Sequence, residues 1–214
     1  LLKQSAPLLK SPHRMSKIAH QSAALERLIS ALLTDTDTLY FGRSELNGRC
    51  NFRVGVGIRE VGQVVGVGGQ HFRAIRLIAE QMGRQQDSLW TVKLEEPEGE
   101  RQPPYPRTPM PPEHSTRDDE TLLEDVLDAL GIEAEVLVGG GLLAGYVFAV
   151  RPFTMLDHAK LTDPWPAIYD RPKRLAPGEV PPPPLHHLNL LAAITLLFKA
   201  IGRKQGCEYR VTLQ

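Results

Sequence analysis

The sequence predicts an α+β chain of two units that share one order of elements, α-β-β-α-α-β, the second degenerate with an irregular proline-rich insertion. Three observations carry this. Helical-period and alternating apolar patterns follow one another in the same order twice. A proline- and glutamate-rich stretch, residues 97–115, separates the two runs. A glycine loop, Gly66-Val67-Gly68-Gly69, stands between two helical segments of the first run.

Residues 1–18, with Pro7 and Pro12 and no clear period, are expected to be a flexible tail. Met15-Ser16-Lys17 resembles a natural start. From Ser22 to Leu33, Ala24 or Leu25, then Leu28, Ile29, Leu32 and Leu33 recur at helical spacing. Asp35-Thr36-Asp37 ends that helix. Thr38–Phe41 reads as a short β-prone piece, Asn47-Gly48 as a turn, and Cys50–Val56 as a half-buried strand. A short helix fits Arg59–Val65. After the loop, Phe72, Ile75, Ile78, Ala79 and Met82 form one helical stripe, with Gly83 as the expected C-cap. Leu89–Leu94 alternates as a strand and closes a first unit at 19–96.

The second unit, 116–214, opens with a helix capped by Ser115 or Thr116. Its apolar face is Leu122, Leu123, Val126, Leu127 and Leu130, and Gly131 stops it. Glu133–Val138 and Leu142–Val150 read as strands around Gly139-Gly140-Gly141. Arg151–Leu185 reads as irregular. A helix through Leu188, Leu191, Phe198 and Ile201 then leads to a closing strand, Cys207–Leu213.

The 214 residues are 42% hydrophobic with a formal net charge of zero, so a core is expected and total charge names no partner. The charge is unevenly spread. Residues 43–86 hold seven arginines against Glu45, Glu60 and Glu80, whereas residues 95–135 hold thirteen acids against three arginines. Cys50 and Cys207 are too few and too far apart for a disulfide framework or zinc cluster. No apolar run reaches the ~18–20 residues of a membrane span. A soluble, cytoplasmic protein without membrane partner or cofactor is expected.

The glycine loop in its setting carries the functional reading. A tight loop between two helices points backbone N–H groups outward at the positive end of the second helix. Glycines let a sugar-phosphate chain approach without Cβ clashes. Gly66-Val67-Gly68-Gly69 fits the G-x-x-G loop of KH domains, and the order of elements fits their type II fold. The stretch Glu60-Val61-Gly62-Gln63-Val64-Val65-Gly66 through Arg73-Ala74-Ile75-Arg76 is similar to the small bacterial KH proteins of the KhpA family. The second unit resembles the KH domain of the Jag (KhpB) family at Leu122–Val138 and Asn189–Leu213, but has no G-x-x-G. The further nucleic-acid-binding module of that family is not in this sequence.

The resemblance implies an RNA-binding protein holding single-stranded RNA on Gly66, Val67, Gly68 and Gly69, with a footprint of roughly four nucleotides. An RNA chaperone or post-transcriptional regulator is the expected class, and the ribosome or another KH protein a further expected partner. Gln70 directly follows the loop, and Arg59, Arg73 and Arg76 lie on the flanking helices; their charge, rather than the resemblance, makes them candidate phosphate contacts. A solvated helix face is the competing role for each arginine. The family usually has a basic residue where Val67 stands, so weak, backbone-led binding with a shallow salt dependence is expected. Val54, Val56, Val64 and Ile75 belong to the groove or to the core beneath it.

Other chemistries are less well supported. Neither Gly55-Val56-Gly57 nor the loop gives the G-x-G-x-x-G of a dinucleotide site. His186-His187 and His158 lack a carboxylate at helical spacing. His71 reads as a surface residue or RNA contact rather than a base. No G-x-S-x-G occurs, and no enzyme is expected. The alternative is a protein–protein interaction scaffold on degenerate KH folds, such as a ribosome-associated or assembly factor. In it, Trp165, Tyr169 and the stretch Arg151–Leu185 dock on a partner or simply cover the sheet.

Overall fold

A computed structural model describes residues 12–46, 48–95, 116–141, 145–163 and 189–214. The 97–115 stretch, Trp165, Tyr169 and His186-His187 lie outside the described residues. In chain order the elements are α1 (Pro12–Leu32), β1 (Tyr40–Leu46), β2 (Arg49–Gly55), α2 (Val61–Val65), a 3-10 turn (Val67–Gly69), α3 (Gln70–Arg84) and β3 (Leu89–Leu94). Then come α4 (Thr116–Ala129), β4 (Ala134–Gly141), β5 (Gly145–Pro152), α5 (Met155–Thr162), α6 (Leu190–Lys204) and β6 (Tyr209–Leu213). The fold is α+β, and its two halves follow the same element order.

Helix α1 begins earlier than the sequence predicts. Proline is tolerated in a first helical turn, and α1 opens at Pro12, so the tail expected over 1–18 is helical from there. Two residues hold this extension to the body. Ile18 is buried, and so is the polar Gln21, whose Nε2 donates to the Ala129 carbonyl at 2.8 Å. Neither makes an apolar stripe, so periodicity could not reveal it.

Each unit folds its strands into a mixed three-stranded sheet, ordered β1-β2-β3 and β4-β5-β6. The first pair of each is antiparallel and the second parallel. Alternation assigns the faces. Cys50, Phe52, Val54, Trp90 and Val92 point inward and are buried. Phe52 stacks on Phe41 at 5.4 Å between ring centroids and meets Trp90 at 4.8 Å. In the second sheet Phe148, Tyr209 and Val211 face inward.

Helices α3 and α6 cover the two sheets and pack on one another, as do α1 and α4. The buried residues of both units form one continuous cluster. Fully buried Leu25, Leu28, Ile29 and Leu123 each contribute on the order of 1.5–3 kcal/mol in apolar transfer. The division of the chain at 97–115 is therefore not a division of the core.

The contacts between units are reciprocal. The ammonium of Lys204, at the end of α6, donates to the carbonyls of Ala31 and Leu33 at the end of α1. Gln85, just past α3, lies against Gly131 at the end of α4, where an added Cβ would come within 2.7 Å of its Oε1. A near-twofold relation between units would produce this exchange, as in an isologous dimer. Burial holds the Lys204 ammonium below the usual lysine range.

Three local expectations are corrected. Gly83 lies inside α3 rather than capping it. The left-handed residue that ends this helix is Asp87, φ +50°, and the Ser88 N–H returns to the Gly83 carbonyl at 3.0 Å. Gly139-Gly140-Gly141 belongs to β4, and the segment between the hairpin strands, 142–144, lies outside the described residues. Arg151–Leu185 is not wholly irregular: α5 forms within it. Thr154 caps α5 by accepting from the Asp157 N–H at 3.1 Å, while its hydroxyl donates to the Asp157 carboxylate at 2.6 Å. Lys160 bonds both Asp157 and the Gly131 carbonyl, which ties α5 to the end of α4.

Candidate nucleic-acid interface

The glycine loop joins α2 to α3 through the 3-10 turn. Positive φ values at Gly66 (+70°), Gly68 (+60°) and Gly69 (+77°) let the chain reverse within a few residues, which side chains with a Cβ resist. The Gly66 N–H bonds the Gly62 carbonyl at 2.9 Å, and the Gly69 N–H bonds the Gly66 carbonyl at 3.2 Å. The loop is thus held by its own backbone. At its tip Val67 is 87% exposed. An added Cβ would meet nothing within 4 Å at Gly68.

Gly66 is required for a further reason. The His71 ring lies over it, and an added Cβ would come within 2.5 Å of the ring. His71 Nδ1 stands 2.7 Å from the Gln63 carbonyl. A carbonyl only accepts, so Nδ1 carries the proton and donates. His71 thereby clasps the end of α2 to the start of α3. The sequence reading gave it only a surface or RNA role; the missed signal is its place five residues after Gly66.

Gly69 is the N-cap of α3 and offers no side-chain cap. The first-turn N–H groups of a helix lack intrahelical partners, so this end of a 15-residue helix presents donors and positive potential beside the loop. Gln70 opens the helix and is exposed. The Arg73 Nε lies 4.0 Å from the position of a Cβ on Gly69, which places its guanidinium against the loop. Arg76 is exposed one turn on, and Arg59 is exposed just before α2. Arg59 and Arg76 also interact within the protein. Of the expected cations, only Arg73 is shown at the loop itself.

Val54, Val56, Val64 and Ile75 are all buried, so they form core rather than an open groove. Glu60, also buried, accepts from the Thr34 N–H at 2.8 Å and links the end of α1 to α2. Among the described residues no group of three His, Cys, Asp or Glu side chains is placed to hold a metal ion. No described helix is long and apolar enough to cross a membrane.

In chain order α5 follows β5 as α2 follows β2, and residues 164–188 separate α5 from α6. Those residues lie outside the described ones. Asn189 caps α6 by accepting from the Ala192 N–H at 2.8 Å, and its amide donates to the Thr162 carbonyl at 3.1 Å. The end of α5 and the start of α6 therefore meet. No protein-family model matches the sequence, and no curated protein matches it.

Proposed function

We propose that the chain binds single-stranded RNA along Gly66–Gly69 and acts as an RNA-binding protein of the type II KH kind. The observation that carries this reading is the loop's geometry. An exposed, glycine-built reversal stands at the uncapped start of α3, with the Arg73 guanidinium against it. Such a site suits a phosphodiester backbone: N–H donors and a helix dipole face the anion, and no Cβ blocks its approach. The element order of the first unit, with a paired helix and strand ahead of the loop, supports the same reading. An RNA chaperone or post-transcriptional regulator follows as the class of activity.

The test is binding of short unstructured RNAs by wild type and by Val67→Asp. Gly68, at φ +60°, is a poor place for the probe because a side chain there strains the backbone. Val67 is exposed, so a carboxylate there repels phosphate without disturbing the core. Two charges about 4 Å apart in water interact by about 1 kcal/mol, or about fivefold in affinity. Equal binding by the two proteins would overturn the loop mechanism.

A second reading, a protein-interaction scaffold, rests on a separate observation. Phe153, Met155 and Leu156, at the start of α5, are 66%, 86% and 67% exposed. Absence of RNA binding at low salt would favour it, and pull-down through residues 117–214 would then test it.

A further inference from the structure

We infer that the outer face of the first sheet, away from the helices, is a second platform for single-stranded nucleic acid. The inference takes its ligand from the RNA-binding reading above but uses none of the loop residues. The register sets the face in rows. Ser44, Asn51 and Thr91 form one row, Gly42, Arg53 and Lys93 the next, and Tyr40 and Gly55 the row beyond. Arg49 lies two residues before Asn51 and so shares the face.

The Tyr40 ring lies along its own strand over Gly42, where an added Cβ would come within 2.5 Å of the hydroxyl. The strand under the ring is bare because residue 42 has no side chain. Tyr40 is still 49% exposed. An aromatic ring lying on a sheet with its surface open is the arrangement on which a nucleobase stacks. Arg53 and Lys93 are exposed cross-strand neighbours in the adjacent row. Strands lie about 4.8 Å apart, so their cations serve one phosphate or two successive ones. Between Asn51 and Thr91 runs a 2.7 Å hydrogen bond that holds the amide in place. The Thr91 hydroxyl donates that bond to Asn51 Oδ1, so the Asn51 amide N–H groups and the Ser44 hydroxyl are polar groups able to meet a base edge.

The second sheet is an internal control. Its outer face carries Arg151 paired with Glu135 at 3.2 Å, and Arg210 paired with Glu208 at 2.9 Å. Its cations and acids balance; Leu137, Val147 and Ala149 share this face as Leu46 and Leu89 share the first, so the charge balance is what sets the two faces apart. Among the described residues, the outer face of the first sheet has Arg49, Arg53 and Lys93 against Glu95, which pairs loosely with Arg53 at 3.5 Å. An uncovered sheet face alone does not produce this charge, and its sign and its aromatic select a strand of phosphates and bases.

The experiment measures affinity for a fluorescent single-stranded RNA over a salt series, in the full chain, with thermal unfolding as the control for folding. Tyr40→Leu, which keeps an apolar side chain beside Gly55 but removes the ring, is expected to weaken binding about tenfold, and Tyr40→Phe to retain it, because stacking on an aromatic is worth about 1–3 kcal/mol. Arg53→Gln with Lys93→Gln is expected to lower the slope of log affinity against log salt by about 1.4, or about 0.7 per lost contact. Glu95→Gln is expected to strengthen binding about twofold. Arg151→Gln with Arg210→Gln is expected to change nothing.

Binding unchanged in Tyr40→Leu and Arg53→Gln/Lys93→Gln but weakened in Val67→Asp would overturn the platform and leave the loop standing. The reverse pattern would overturn the loop and leave the platform. If a polyaspartate peptide competes with dependence on Arg53 and Lys93 but not on Tyr40, the face is a dock for acidic protein and the inference fails. No RNA binding by wild type would overturn both.

Discussion

The Tyr209 hydroxyl donates to the buried Asp119 carboxylate at 2.7 Å, joining the last strand of the second unit to its first helix. The same hydroxyl meets Gln205, whose amide donates to Asp119 at 3.4 Å. Trp90 holds the corresponding place in the first unit. Each aromatic follows a helical glycine by seven residues, Gly83 and Gly202, and each lies where that glycine's Cβ would be. The first unit fills the position with a larger ring whose Nε1 has no hydrogen-bond partner among the described residues, and the second with a smaller ring whose hydroxyl donates to Asp119. The two halves are variations on one packing solution.

Tyr209→Phe removes a hydrogen bond to a buried carboxylate and is expected to cost roughly 1.5–3 kcal/mol at neutral pH. Its pH dependence has a definite sign. Burial, and then the Asp119 carboxylate, raise the Tyr209 pKa well above the ordinary tyrosine value. The folded protein keeps this proton when the unfolded chain has lost it. The contribution is therefore complete below about pH 10 and declines by about 1.4 kcal/mol per pH unit above it. Lys204, whose pKa is lowered, works in the opposite direction below 10.5, but is common to both proteins. Denaturant unfolding should show wild type and variant converging as pH rises above 10; a constant gap would refute the assignment.

Asp87→Gly should stabilise the protein. Asp87 is the one non-glycine with positive φ among the described residues, and it is exposed. Gly206 holds the matching position after α6, at φ +76°. Relief of the left-handed strain is worth about 0.5–1 kcal/mol, less the entropy glycine adds to the unfolded chain. A rise in the urea midpoint without change in slope is the expected result.

Gly83→Ala and Gly202→Ala test the shared core. A Cβ at Gly83 would lie 2.6 Å from the Trp90 ring and the Ser88 carbonyl, and one at Gly202 would lie 2.6 Å from the Tyr209 ring. Each is expected to cost about 1–3 kcal/mol by overpacking. Because the buried residues form one cluster, either change should lower the midpoint of a single transition seen by every probe. Two separated transitions would show the units to be independent.

The sequence showed most elements where side-chain period reports burial. Cys50-Phe52-Val54 and Leu122-Leu123-Val126-Leu127 are buried as their spacing requires. It failed where a local signal meant something else. Gly83 looked like a cap but makes room for Trp90, a contact between residues seven apart that composition does not show. The proline-punctuated stretch after Val150 hid α5, although Thr154 and Asp157 form a readable capping pair. The loop at Gly66–Gly69 was legible from its glycines. The clasp by His71 and the outer face of the first sheet were not, because the one depends on the turn's geometry and the other on which strands pair.

Val67→Lys gives the loop the charge that its sequence lacks. The side chain is exposed at the tip, so lysine there faces solvent without strain on the core. Phosphate passing along Gly66–Gly69 would gain one cationic contact. Affinity for single-stranded RNA is expected to rise about fivefold at low salt, from about 1 kcal/mol of attraction in water. The salt slope should steepen by about 0.7, the signature of one added phosphate contact. A gain in affinity without the steeper slope would mean that the lysine acts as a diffuse charge. No change in either would mean that RNA does not pass the loop. Tested beside Val67→Asp, the two substitutions should move affinity in opposite directions about wild type, which a loop with a purely structural role would not produce.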